Sequence, residues 1–163
     1  MSRWRPPQPK SSPYITQAGY QVLEAELQQL WERRKHVTAA LSAAAAEGDR
    51  SENAEYIYRK KELREIDRRI HYLQKRLPRL TVVSAKPERQ DQVFFGAWVT
   101  LETDAGEEIT YRIVGADEID TSGGLISLDS PLARALLKKN LDDEIVIRLA
   151  GKESRYFITD IRY

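Results

Sequence analysis

Gly48-Asp49-Arg50-Ser51-Glu52-Asn53-Ala54-Glu55-Tyr56 lies between two long stretches of helical periodicity, so it reads as the turn of a helical hairpin. Gly48 closes the first helix, because glycine accepts the left-handed backbone that helix ends often need. Ser51 or Asn53 caps the second by accepting a hydrogen bond from its unpaired amides. Asp49 and Glu52 are then two carboxylates at one end of a rod, with Glu47 and Glu55 beside them. The plain reading is that they favour the positive end of the second helix. The functional alternative is that the rod exists to carry them. The helices are far longer than a cap requires, and the chain around the turn is basic.

Before the turn, Tyr20, Leu23, Leu27, Leu30, Arg34, Val37, Leu41 and Ala44 recur at alternating steps of three and four, a heptad seam with Arg34 as its polar member. Thr16 is the candidate N-cap. After the turn, Tyr56, Arg59, Leu63, Ile66, Ile70, Leu73 and Leu77 repeat the pattern until Pro78 stops it. Alanines crowd the first helix near the turn, where small side chains allow close approach. Two such segments form an antiparallel coiled-coil hairpin. At 1.5 Å per residue, a helix of about 30 residues reaches roughly 45 Å.

The polar positions of the second helix are basic. Lys61, Arg64, Arg68 and Lys75 share a face opposite the seam, and Arg69 and Arg76 widen it. Such a face is either simply solvated, its charge softened by neighbours such as Glu62 and Glu65, or a track for nucleic-acid phosphates.

Past Pro78 the character changes. Residues 78–92 read as a linker. Val93 to Leu101, Ile109 to Ile113, Leu125 to Leu128, Ile145 to Leu149 and Tyr156 to Ile161 read as strands. Asp104-Ala-Gly106 and Ala150-Gly151-Lys152 are hairpin turns. Ser130 caps a short helix with Pro131 in its first position and Leu132 and Leu136 as its apolar stripe. The expected architecture is α+β: a loose tail over 1–14, a coiled-coil hairpin over 15–80, and over 81–163 a small antiparallel sheet with one helix packed on it.

Composition agrees. Of 163 residues 41% are hydrophobic and 31% charged, with a net charge of +1. That balance hides a split: residues 1–80 hold 16 Lys and Arg against 10 Asp and Glu, whereas residues 81–163 hold 10 against 15. The basic half favours a polyanionic neighbour. No apolar run approaches the ~20 residues of a membrane span, and the start lacks the apolar core of a signal peptide. The chain has no cysteine, which excludes disulfides and thiolate metal sites and suits a cytoplasmic protein.

No nucleophile–base–acid set, Gly-rich phosphate loop or tightly spaced metal motif is present, and His36 and His71 read as flank residues of the coiled coil. Asp49 and Glu52 are the one carboxylate pair in a special position. Alone they are a poor Mg²⁺ site, since Mg²⁺ takes six oxygens and commonly completes its shell with water and phosphates. They become a site when another molecule supplies the rest, as at the recessed active site of a second protein.

The chain resembles the bacterial Gre transcript-cleavage factors of the GreB type. The likeness runs from about Tyr14 to Tyr163 and rests on G-D-R-S-E-N-A-E-Y at Gly48 to Tyr56 and R-K-K-E-L-R-E-I-D-R-R-I at Arg59 to Ile70. V-F-F-G-A-W-V at Val93 to Val99 and D-S-P-L-A-R-A-L-L-K-K at Asp129 to Lys139 extend it. The resemblance implies a coiled coil followed by an FKBP-like domain. It implies a monomer, not itself an enzyme, that inserts the coiled coil into the secondary channel of bacterial RNA polymerase. There the factor stimulates cleavage of the 3′ end of backtracked nascent RNA. By position, Asp49 and Glu52 hold a Mg²⁺ shared with the polymerase active site, with none bound in isolation, and Ser51 is a water or RNA contact. Asp129, Ser130 and Pro131 match the loop that docks at the channel rim, and Lys61, Arg64, Arg68, Arg69 and Lys75 match a patch for extruded RNA. The N-terminal extension through Ser12 departs from the family pattern. Two other functions compete: a non-cleaving secondary-channel regulator, which has no need of the acidic pair, and a plain nucleic-acid-binding coiled coil, whose acidic turn would repel phosphate.

Overall fold

In the hairpin, apolar residues three and four apart put one stripe of each helix out of water, and the computed structural model shows where each stripe runs. It describes residues 9–48 and 52–163. Helix α1 spans Gln17–Ala46 and α2 spans Ala54–Arg76, followed by a single 3₁₀ turn over Leu77–Arg79 that contains Pro78. Val37, Ile66 and Ile70 are buried together, with Leu27, Leu30 and Leu63 packed against them. Leu23, Leu73 and Ala44 are also buried. Hiding a large aliphatic side chain of this kind contributes about 1.5–3 kcal/mol. Every apolar residue named here belongs to the expected seam.

Charged residues flank the stripe and reach across it. Arg34, the polar member of the seam, is half-buried and its Nε lies 2.6 Å from Asp67 Oδ1. Arg69 makes a two-pronged contact with Glu26, at 2.7 and 3.0 Å. Arg33 pairs with Glu62, whose other oxygen accepts from Arg59 at 3.0 Å. Glu62 is buried although glutamate carries no hydrophobic signal, because it lies four residues before Ile66 on the border of the stripe. The softening pairs expected on the basic face are therefore partly redirected: Arg69 turns to Glu26, and Glu62 to Arg33 and Arg59.

Residues 20–80 form one compact unit, and the described residues up to Gly19 cluster with 81–163 in another. In that second unit β1, Tyr14–Thr16, pairs in parallel with β2, Thr81–Val83. Neither strand is visible in the sequence, since three residues are too short to show a period. Glu118 holds β1 in place: its carboxylate accepts the Thr16 amide at 3.0 Å, the Thr16 hydroxyl and the Gly115 amide at 2.7 Å. Thr16 Oγ1 also accepts the Gly19 amide at 3.1 Å, the cap expected of it. Residues 12–14, expected in the loose tail, have fixed partners: Ser12 bonds Asp129, the Pro13 carbonyl accepts the Thr81 amide, and Tyr14 lies in β1.

The main sheet comprises β3 (Trp98–Thr103), β4 (Glu108–Val114), β5 (Leu125–Ser127), β6 (Glu144–Leu149) and β7 (Lys152–Arg162), ordered β5-β4-β3-β7-β6. The expected antiparallel pairing holds except at the edge, where β5 runs parallel to β4. The chain turns back through an Asp120–Leu125 bridge, and Gly124, at φ +72°, lies so close to the Thr110 carbonyl that a Cβ would come within 2.8 Å of it. Glycine is required there both for backbone and for space. The first strand also starts later than expected: Val93 and Ala97 are buried but lie in a loop, and pairing begins at Trp98. Helix α3, Pro131–Leu136, sends Ala133 and Leu136 into a core with Val99, Leu101, Ile113 and Ile158.

The loop before β3 is bolted by Tyr163, whose hydroxyl accepts the Phe94 amide at 2.7 Å and donates to the Gln92 carbonyl at 2.6 Å. Burial pushes the Tyr163 phenol above its ordinary value of 10.0, against the opposing effect of the Phe94 amide. A raised folded value means the unfolded chain ionises first. The contribution to stability is thus fully present below pH ~10 and is lost as pH rises through the folded value. Tyr163→Phe is expected to cost about 1–3 kcal/mol at neutral pH, the price of two unmade hydrogen bonds. It is also expected to flatten the fall in stability above pH ~10. Denaturant titrations of both proteins from pH 7 to 11 measure both effects; equal alkaline slopes contradict the assignment.

Candidate functional site

Among the described residues, the Asn53 side chain ties the turn between α1 and α2 together. Asn53 precedes the first residue of α2 in an extended conformation, and its Oδ1 accepts the Tyr56 amide at 3.1 Å. This settles the cap between the two candidates in favour of Asn53. Its Nδ2 donates in the opposite direction, to the Ala44 carbonyl near the end of α1, at 2.8 Å. Gly48 has φ +136°, a backbone that L residues rarely adopt, while nothing lies within 4 Å of where its Cβ would stand. Its role is conformational, as the sequence indicates. Glu52 is exposed in the turn. Asp49 and Ser51, the other acidic-turn candidates, lie outside the described residues. Glu55 belongs to the helix instead: its carboxylate accepts from Arg59 Nε at 2.8 Å. Together with Glu62 it raises the Arg59 pKa further, Glu55 being the larger cause.

Along α2, Lys61, Arg64, Arg68 and Lys75 are all exposed. Arg69 does not join them. Eight residues beyond Lys61, at about 100° per residue, it has turned roughly 80° toward the seam, where Glu26 takes its guanidinium. Arg68 and Lys75 line a shallow open cleft with His71, Tyr72, Arg76 and Arg79. Tyr72 is 40% exposed, and Arg69 lies over its ring at 5.3 Å. This gathers an aromatic surface and several cations in one place, the combination that single-stranded nucleic acid binds by stacking and phosphate contact. Reading charge alone passes over Tyr72, although it sits between Arg68 and Lys75 at helical spacing. Lys61 has a different setting, lining a second cleft with Arg33, Tyr58, Glu62 and Glu65.

The third group of candidates surrounds the start of α3. Ser130 is its N-cap, with Oγ accepting the Ala133 amide at 3.2 Å. Pro131 is exposed at the first helical position. The Asp129 carboxylate takes the Ser12 amide on Oδ2 at 2.8 Å and the Ser12 hydroxyl on Oδ1. Of the three, Pro131 presents its side chain outward, Ser130 spends its hydroxyl on the helix, and Asp129 fastens the N-terminal segment. Among the described residues no group of three or more His, Cys, Asp or Glu is placed to hold a metal, and no helix is long and apolar enough to cross a membrane.

A family model described as "Transcription elongation factor, N-terminal" matches residues 13–82, and one described as "Transcription elongation factor, GreA/GreB, C-term" matches residues 87–163. The chain belongs to the GreA/GreB family of transcription elongation factors. It is 55% identical over 164 residues to a Pseudomonas aeruginosa protein named Transcription elongation factor GreB, covering 100% of this chain and 98% of that one. A protein of the same name from Xanthomonas axonopodis pv. citri is 56% identical over 165 residues, with the same coverage. Among solved structures, a GreA/GreB elongation factor from Nitrosomonas europaea is 21% identical with a TM-score of 0.43, covering 93% of this chain and 100% of that one. GreA factor homolog 1 from Thermus thermophilus is 24% identical with a TM-score of 0.41, covering 92% and 98%.

For this GreA/GreB-family chain, the Asp129–Ser12 contact predicts a measurable local effect. Asp129→Ala removes both acceptors of Ser12, and a hydrogen bond to a charged group is worth about 1.5–3 kcal/mol. Exchange of the Ser12 amide with solvent is expected to accelerate by at least about tenfold, with little change at the Ala133 amide held by Ser130. Residue-resolved hydrogen exchange tests this; unchanged Ser12 protection would mean the carboxylate does not hold the segment.

Proposed function

We propose that this chain binds RNA polymerase, places its helical hairpin in the secondary channel and stimulates the polymerase's own cleavage of the 3′ end of backtracked nascent RNA. Family membership makes it a transcription elongation factor and a non-catalytic cofactor of the polymerase. The observation that carries the finer reading is Glu52, exposed beside Asn53, whose amide bonds back to α1, at the end of helices of 30 and 23 residues. Such helices are about 45 and 35 Å long, enough to carry a carboxylate into a recessed site. The chain acts as a monomer in the cytoplasm, where its polymerase works.

Asp49 and Glu52 are hard oxygen donors of the kind Mg²⁺ takes. They are too few to hold the ion alone, so polymerase and RNA supply the remaining oxygens. Asp49 and Glu52 would help hold such an ion, which would supply Lewis-acid stabilisation of charge on the reacting oxygens. The chain's own part is to hold carboxylates at a fixed reach, with Ser51 beside them to orient water or RNA. Arg64 and Arg68 face away from the helix seam and guide the extruded strand through its phosphates, joined by Lys61 and Lys75. Asp129, Ser130 and Pro131 form the docking loop, Pro131 touching the polymerase and the other two shaping the loop.

Two measurements test the reading. Asp49→Asn and Glu52→Gln each remove one charge at constant size. Each is expected to abolish most stimulated cleavage while polymerase binding stays within a few-fold, in paired binding and cleavage assays. Wild-type cleavage by either variant defeats the carboxylate role. Arg64→Glu combined with Arg68→Glu is expected to slow cleavage of long extruded RNAs more than short ones. Each lost phosphate contact should flatten the salt dependence by about 0.7 in log–log slope. An equal loss on both RNAs, with an unchanged salt slope, assigns the face to something other than RNA.

A further inference from the structure

Asn53 makes two bonds in opposite directions. Its carbonyl oxygen takes an amide from the first turn of α2, at 3.1 Å from Tyr56 N. Its amide nitrogen gives a hydrogen to the Ala44 carbonyl of α1, at 2.8 Å and nine residues back in sequence. That carbonyl belongs to the last turn of α1 and also accepts the Glu47 amide at 3.2 Å. An ordinary N-cap needs only an acceptor, and Asp, Ser or Thr would serve as well. The additional donor ties the two helix ends to each other, across the turn. Ala44 is 4% exposed, so the bond lies against the narrow end of the seam, where water competes weakly. Glu52 is the residue immediately before Asn53, and its backbone leaves directly from this clasp.

We infer that Asn53 is a positioning residue for Glu52: its amide bond to Ala44 fixes where the turn carboxylate stands relative to both helices. The inference rests on the proposed role of the turn in transcript cleavage. It differs from simple capping, because capping uses Oδ1 alone and positioning also requires Nδ2. Asparagine is the residue that supplies an acceptor and a donor on one short planar group. A carboxylate held by a single flexible connection samples many placements, and misplacement of a reacting group by about 1 Å can cost up to a hundredfold in rate.

The two roles separate by substitution. Asn53→Asp keeps size and cap, gains favourable charge at the start of α2, and sets an acceptor against the Ala44 carbonyl. Asn53→Ser keeps a cap but is too short to span to α1. Both are expected to lower the maximal rate of stimulated RNA cleavage by stalled polymerase by about tenfold or more. The factor concentration for half-maximal effect should stay within about twofold, and helix content by circular dichroism should be unchanged. A structural role alone would move helix content or half-saturation rather than the maximal rate. Glu52→Gln is assayed alongside. If Glu52→Gln is inactive while both Asn53 variants cleave at the wild-type maximal rate, the positioning inference is overturned and the carboxylate reading stands. If the Asn53 variants lose rate only in proportion to lost helix or lost binding, the inference is likewise overturned. If Glu52→Gln cleaves normally, the reading of the turn fails first and this inference fails with it.

Discussion

Register between the two helices is the constraint on which the turn and the basic face both depend. A heptad seam does not fix register by itself, because sliding one helix by seven residues brings apolar positions back opposite apolar positions. The charges at its borders help to select it. Glu26 faces Arg69, Arg33 faces Glu62 and Arg34 faces Asp67. Sliding α2 one heptad one way would set Glu62 against Glu26 and Lys60 against Arg34. Sliding it the other way would set Arg69 against Arg33, break the Arg34–Asp67 pair and leave Glu26 opposite Arg76. Each pair is partly exposed and contributes little to stability on its own. Their joint effect is discrimination, since each wrong register, about 10 Å away along the axis, brings like charges together.

With register fixed, the hairpin divides its surface by task. The apolar stripe and its bordering ion pairs face inward, the cations of α2 face outward, and acidic residues occupy the turn. Arg69 illustrates the division: its guanidinium closes on Glu26 through two nitrogens, at the border of the seam and away from the outward face. The family supplies the transcription context, and the geometry indicates which cations remain available to work in it.

Much of this was legible in the sequence because helical periodicity over many residues is a strong signal. Leu23, Val37, Ile66, Ile70 and Leu73 were all readable as seam, and Ser130 and Pro131 as a helix start. What stayed hidden depended on partners far away in the chain. The burial of Glu62 needs Arg33 and Arg59 to make sense of it. The parallel placement of β5 depends on a return path through Gly124. Strands β1 and β2 are too short to carry a period and are set by each other and by Glu118. For the turn, residue types alone left Ser51 and Asn53 equal as caps; the difference lies in which side chain reaches the Tyr56 amide, and Asn53 Oδ1 accepts it.

Strand β1 ends at Thr16 and β2 begins at Thr81, and the two lie side by side. In connectivity, the whole hairpin is thus an insertion between neighbouring strands, serving as the crossover that a parallel pair requires. Such an insertion can change length with little disturbance to its host, because loop-closure entropy grows only logarithmically with the number of residues enclosed. Adding or deleting one heptad in each helix together would preserve the seam and leave both strands where they are. In connectivity, then, the length of the rod is separable from the two strands that flank it, and the same two strand ends offer a seat for grafting helical rods of other lengths.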